Sequence, residues 1–151
     1  MRQISLVNWS RTSWIAATLL ACIAPGLGTA QSLNGFDLGN ASIPVEHILS
    51  GGPNRDGIPA IDNPVFESAS SASWLGPGER ILGISVNGIS RAYPIAILNW
   101  HEVVNDVFSD RPIVITYCPL CGTGMAFDSG VDNLDLKFGV SGLLFQSDVL
   151  L

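Results

Sequence analysis

The chain has 151 residues, 47% of them hydrophobic and only 13% charged, with 7 Lys and Arg against 13 Asp and Glu for a formal charge of −6. Lys137 is its single lysine and no basic run exists, so the clustered cations that phosphate binding requires are missing and nucleic acid is excluded as an expected partner. The acidity is read as a solubility device rather than as recognition of a cationic partner.

The first thirty residues differ in kind from the rest. Arg2 and Arg11 flank a polar start, Trp14 to Ala24 is almost wholly apolar, and small residues lead to Gly28, Thr29 and Ala30. This is the pattern of a secretory signal peptide over residues 1–30, which places the mature protein in a periplasmic or extracellular compartment. The apolar run falls short of the roughly 20 residues that span a bilayer. Membrane attachment is expected only through an uncleaved leader or a lipidated Cys22, since Leu19-Leu20-Ala21-Cys22 is a loose match to a lipoprotein cleavage box. Without the leader, five of the seven basic and all thirteen acidic residues remain, a formal charge of −8. The remaining length suits one domain with a real core, and not two.

Residues 31–77 form a loop-rich N-terminal segment. Ser50-Gly51-Gly52-Pro53-Asn54-Arg55-Asp56-Gly57-Ile58-Pro59 is too dense in turn formers to sustain a helix or a central strand. Asp56 and Asp62 are noted there because glycine and proline can hold a backbone rigidly beside a ligand. Ser68 to Ser73 is a Ser/Ala tract, expected to be a surface connection.

Residues 78–151 are read as an α+β core, mostly antiparallel β with one main helix. Arg80 to Val86 and Ile89 to Tyr93 flank Asn87-Gly88, which favours a type I′ hairpin because both turn positions need positive φ. Pro94 can open a helix. Ile95, Leu98, Val103, Val104 and Val107 then recur near a 3.6-residue spacing, which predicts a helix over about 95–108. Ile113 to Tyr117 is a β-branched strand running into Cys118. Thr123 to Phe127 and Leu134 to Val140 are read as further strands. Leu143 to Leu151 is an apolar segment that would leave a sticky edge as a terminus, and the domain is expected to continue beyond it.

The chemistry concentrates in Cys118-Pro119-Leu120-Cys121-Gly122. Two thiols on a turn, stiffened by proline and followed by a glycine able to adopt positive φ, have the order of a zinc or rubredoxin-type knuckle. As a disulfide the pair would close a four-residue loop and stabilise the fold by only roughly 2 kcal/mol, so a structural staple is a poor motive. Thiolates select zinc or copper(I). One knuckle supplies two ligands, and the others must come from His47, His101, a carboxylate, another subunit or further chain, with His101 the preferred third. A thiol-disulfide oxidoreductase is the enzymatic alternative, with Cys118 attacking and Cys121 resolving, although Gly122-Thr123-Gly124 is a poor start for the helix such centres use. A non-catalytic structural or interaction module is the third reading.

His101-Glu102-Val103-Val104-Asn105 matches the first half of the metalloprotease pattern H-E-x-x-H, but Asn105 occupies the second histidine position and the zincin assignment fails. Glu102 stays a candidate general base or a residue that orients a ligand.

Taken together, Gly51-Gly52-Pro53 through Asp62, Arg91-Ala92-Tyr93-Pro94, Asn99-Trp100-His101-Glu102 with Asn105-Asp106, Thr116 to Gly122, and Phe138-Gly139-Val140-Ser141-Gly142 resemble the bacterial and archaeal domain of unknown function 3179 family. The resemblance covers about Ile48 to Leu151. It implies an often exported domain longer than this chain, and it confers no activity.

Overall fold

The computed structural model describes residues 31–151. The expected leader, with Cys22, lies outside the described residues. In chain order the elements are β1 (Ser32–Leu33), β2 (Phe36–Asp37), a short 3-10 turn (Val45–His47), β3 (Ile48–Ser50), β4 (Ile61–Asp62), β5 (Ile81–Val86), β6 (Ile89–Pro94), α1 (Ile95–His101), β7 (Val103–Phe108), β8 (Arg111–Cys118), β9 (Thr123–Asp128), β10 (Gly130–Val131), β11 (Leu134–Asp135), β12 (Leu143–Phe145) and β13 (Asp148–Val149). The architecture is α+β, mostly antiparallel, with one α-helix among the described residues.

The central sheet has the order β4-β7-β8-β9, antiparallel except for the parallel β4–β7 pair. Strand alternation gives it two different faces. On one, Val104, Phe108, Ile113, Ile115 and Tyr117 pack with Leu98 of α1 and Tyr93 of the β5–β6 hairpin. On the other, Val103 and Val114 pack with Val140, while Ile58, Ala60 and Phe138 cover them from irregular segments. A smaller sheet, β13-β12-β3, encloses a third cluster of Leu38, Ile48 and Leu143.

The β5–β6 hairpin forms as its turn chemistry dictates, with Asn87 and Gly88 at φ +51 and +79. The helix does not run to 108. It stops at His101, Glu102 takes φ +58, and the chain re-enters the sheet as β7, with Val103 opposite Thr116. The β-branched Val103, Val104 and Val107 favour extended chain, and a strand buried on both faces can mimic helical spacing by carrying apolar residues at adjacent positions. The strand expected from Leu134 to Val140 is likewise shortened to Leu134–Asp135. Beyond it, Phe138 N–H donates to the Asn105 side-chain oxygen at 2.9 Å rather than to a neighbouring strand. Leu143 to Leu151 folds as the β12–β13 hairpin against β3. No helix of the described residues is long and apolar enough to cross a membrane.

One polar cluster sits inside the apolar face. Asp106, 7% exposed, accepts from Arg91 Nη1 and, at 2.5 Å, from the Tyr93 hydroxyl. The Arg91 guanidinium lies between the Phe66 and Phe108 rings, 4.6 and 4.5 Å from their centroids. Burial raises the Tyr93 phenol well above its ordinary range, and its hydrogen bond to Asp106 adds to that. Removing the carboxylate strands a largely buried cation, so Asp106→Ala is expected to cost about 3–5 kcal/mol in urea denaturation. Tyr93→Phe, which deletes one hydrogen bond and leaves the ion pair, is expected to cost about 1 kcal/mol. Equal losses in the two variants would show that the ion pair is not the dominant element.

Candidate metal centre

β8 is buried along its length from Ile113 to Cys118 and delivers Cys118 to the end of the sheet, where the chain turns and returns as β9. Cys118, 2% exposed, closes the strand, and Gly122 N–H donates to its carbonyl at 2.8 Å. Gly122 has φ +68, the conformation for which glycine was expected there. Cys121 sits on the outer side of this turn and is exposed.

The third member of the group comes from the other end of the sequence. The β12–β13 hairpin turns at Gln146 and Ser147, whose φ values of +51 and +69 are those of a type I′ turn built without asparagine or glycine. That turn places the Ser147 carbonyl 3.9 Å from Cys118 Sγ and Asp148 Oδ1 3.5 Å from Cys121 Sγ. Thr123 Oγ1 lies 2.9 Å from Cys121 Sγ and 3.5 Å from Asp148 Oδ2, between thiol and carboxylate. One ligand atom from each of Cys118, Cys121 and Asp148 falls within 4.8 Å of the others, a set that could hold a metal ion. Among the described residues both cysteines are free. Burial pushes the Cys118 thiol up, and its hydrogen bond with Cys121 pushes in the same direction.

The structure does not gather His101 or His47 into this group. His101 ends α1 and donates its Nδ1–H to the Pro59 carbonyl at 2.9 Å, which leaves Nε2 as the acceptor. His47 lies in the short turn before β3, its ring 6.4 Å from that of Phe145. Asn105, which stands where a zincin would have its second histidine, is on a strand and acts as a clamp. Its amide donates to Asp62 Oδ1 and to the Phe138 carbonyl, both at 2.8 Å, and its oxygen accepts from Phe138 N–H. Asp62 is thereby held beside β7, and Asp56 lies on the 51–60 segment, its backbone N–H donating to the Val140 carbonyl at 2.8 Å.

Asp148 was not legible as a ligand. Its one sequence signal is the polar Gln146-Ser147-Asp148 break inside an apolar run, which marks a hairpin turn and not a metal site.

With this geometry in view, the comparison with known families is direct. Residues 55–151 match the family described as Protein of unknown function (DUF3179), and the chain belongs to that family. Searches of curated proteins and of solved structures found no match.

Glu102 is half-buried, sits in the left-handed region, and its carbonyl accepts from Tyr117 N–H at 2.7 Å, one residue before Cys118. Burial raises its carboxyl above the ordinary value. The folded chain therefore holds this proton more tightly than the unfolded chain does. The carboxyl costs no stability below its unfolded pKa, and a cost develops as the pH rises through the folded one. Glu102→Gln is expected to raise the melting temperature at pH 7 and to leave it unchanged below about pH 4, the ordinary carboxylate range. Calorimetry across that range checks this, and an unchanged melting temperature at pH 7 would show that the carboxylate is fully hydrated.

Proposed function

We propose that this is an exported protein that binds zinc through Cys118, Cys121 and Asp148. The observation that carries the reading is the convergence of two thiols three positions apart with a carboxylate from a separate hairpin, all within 4.8 Å. Zinc takes tetrahedral sets of thiolate, imidazole and carboxylate ligands. Copper(I), the other thiophilic candidate, prefers wholly soft donors, and the Asp148 oxygen tilts the set toward zinc. Three protein ligands leave a fourth position, and the exposure of Cys121 gives that position access to water or to an incoming ligand. Thr123, in contact with both Cys121 and Asp148, would orient them. Export rests on the leader pattern of residues 1–30.

The redox reading has a specific observation in its favour, two free thiols at CxxC spacing. Two others count against it. A strand, not a helix, follows Cys121, so no helix N-terminus lowers a thiol pKa, and burial moves Cys118 away from thiolate. An external disulfide would meet the exposed Cys121 first, the reverse of the order in which Cys118 attacks.

Metal content and free thiols measured together on the full-length protein, purified without chelator or histidine tag, decide between these. The expected result is about one zinc per chain, as a single three-residue site requires, with thiols protected until a chelator is added. Cys118→Ser and Cys121→Ser are expected to lose the metal. Thr123→Val is expected to weaken binding by the roughly 10–100-fold typical of losing a residue that orients a ligand, and Asp148→Asn by at least that much. A metal-free protein with a readily exchanging Cys118–Cys121 bridge would overturn the proposal in favour of redox chemistry.

A further inference from the structure

The face of the central sheet turned away from Cys118 holds a cavity of about 630 Å³. That is the size of a small-molecule site, for which about 300–1,000 Å³ is usual. It opens between the segment that follows β4, the β5–β6 hairpin and α1. Its walls are mostly apolar, and two large aromatic side chains line it, Phe66 at 39% and Trp74 at 57% exposure. Aromatic rings left open to solvent around a concave apolar space are a common feature of sites that take a hydrophobic body.

Among the described residues, Arg91 is the one basic residue lining this space. Its guanidinium carbon lies over the Phe66 and Phe108 rings, and Nη1 is engaged by Asp106 and by the Val107 carbonyl at 3.0 Å. The hydrogen bonds to Asp106 and Val107 both run through Nη1, the Tyr93 hydroxyl also lies beside the guanidinium, and 23% of the side chain remains open. What Arg91 still offers is a planar edge with two parallel N–H donors, the geometry that matches a carboxylate. Glu67 also lines the cavity, and its Oε1 accepts from Trp74 Nε1, which ties the carboxylate to the wall of the opening.

We propose that this cavity binds a small monocarboxylate with an apolar body, an aliphatic or aromatic acid. The carboxylate lies along the Nε–Nη2 edge of Arg91 and the body lies against Phe66 and Trp74. Asp106 already balances the charge of Arg91, so most of the affinity comes from burying the body, while the guanidinium edge selects the headgroup.

Octanoate, octan-1-ol and octyltrimethylammonium share a chain and differ in headgroup, and calorimetric titration of each into the full-length protein tests the proposal. Octanoate is expected to saturate one site, with octan-1-ol weaker by about tenfold or more for want of a charge-assisted pair and the ammonium weaker than the alcohol. Ala72→Trp, which places a ring in the cavity, is expected to abolish octanoate binding in a protein that melts like the parent. Arg91→Lys, which keeps the charge and loses the forked edge, is expected to lower octanoate binding by about tenfold or more and to shrink the difference between octanoate and octan-1-ol. Equal affinity for all three probes, undiminished binding by Ala72→Trp, or no binding of octanoate would each overturn it.

Discussion

The structure depends on β8 being buried on both faces at once. Ile113, Ile115 and Tyr117 face α1 and the β5–β6 hairpin, while Val114 faces Val140 and the irregular segments opposite. A strand in this position has no solvent side, and a slip by one residue would exchange Ile113, Ile115 and Tyr117 for Val114, Thr116 and Cys118 on the face toward α1, which breaks the packing of both cores. Register is therefore fixed along its length, and its last residue, Cys118, is delivered to a defined point at the end of the sheet. The metal-binding reading requires only that two further groups be brought to that point. The β8–β9 turn brings Cys121, and the β12–β13 hairpin brings Asp148.

The same two-sided burial explains what could be read from the sequence and what could not. Local chemistry was legible wherever a turn residue had one reason to be present. Asn87-Gly88 specified a hairpin, Gly122 specified a positive φ, and the β-branched run into Cys118 specified a strand. The stretch after Pro94 failed because two patterns coincide. One continuous helix face and a short helix followed by a strand with adjacent buried residues at 103 and 104 both fit the apolar positions 98, 103, 104 and 107, and what separates them is the break at Glu102, a non-glycine residue in the left-handed region that sequence does not announce. Once Val103 to Phe108 is a strand, the i, i+4 argument linking His101 to Asn105 has no physical basis. Those two side chains go to different partners, Pro59 and the Asp62–Phe138 pair.

Asp148 shows a second limit. A ligand 27 positions from its nearest thiol in the chain has no spacing signature. Its placement depends on β12 pairing with β3, from residues some ninety positions earlier, and on close approaches along the way. Gly142 is one of these. It has φ +70, and a Cβ there would run into the Pro53 carbonyl, while Asn34 binds the Pro53 and Ser141 carbonyls at 3.1 and 2.6 Å. The loop-rich N-terminal segment is thus part of what holds Asp148 in place beside the thiols, a contribution that belongs to long-range packing and not to any motif.

On the metal-binding reading, this arrangement would couple metal affinity to the docking of a separate part of the fold. Cys118 and Cys121 belong to a turn that the central sheet organises by itself, whereas Asp148 belongs to the smaller β13-β12-β3 sheet. An ion that binds all three tightens only when the two sheets are in register with each other. By mass action it must then stabilise that docked state over any state in which the hairpin is displaced. The strained Gln146-Ser147 turn fits such a role. Asparagine-glycine would form the same turn at lower backbone cost, so a hairpin selected only for rigidity would not need these residues, whereas one that gains stability from its ligand can carry the strain.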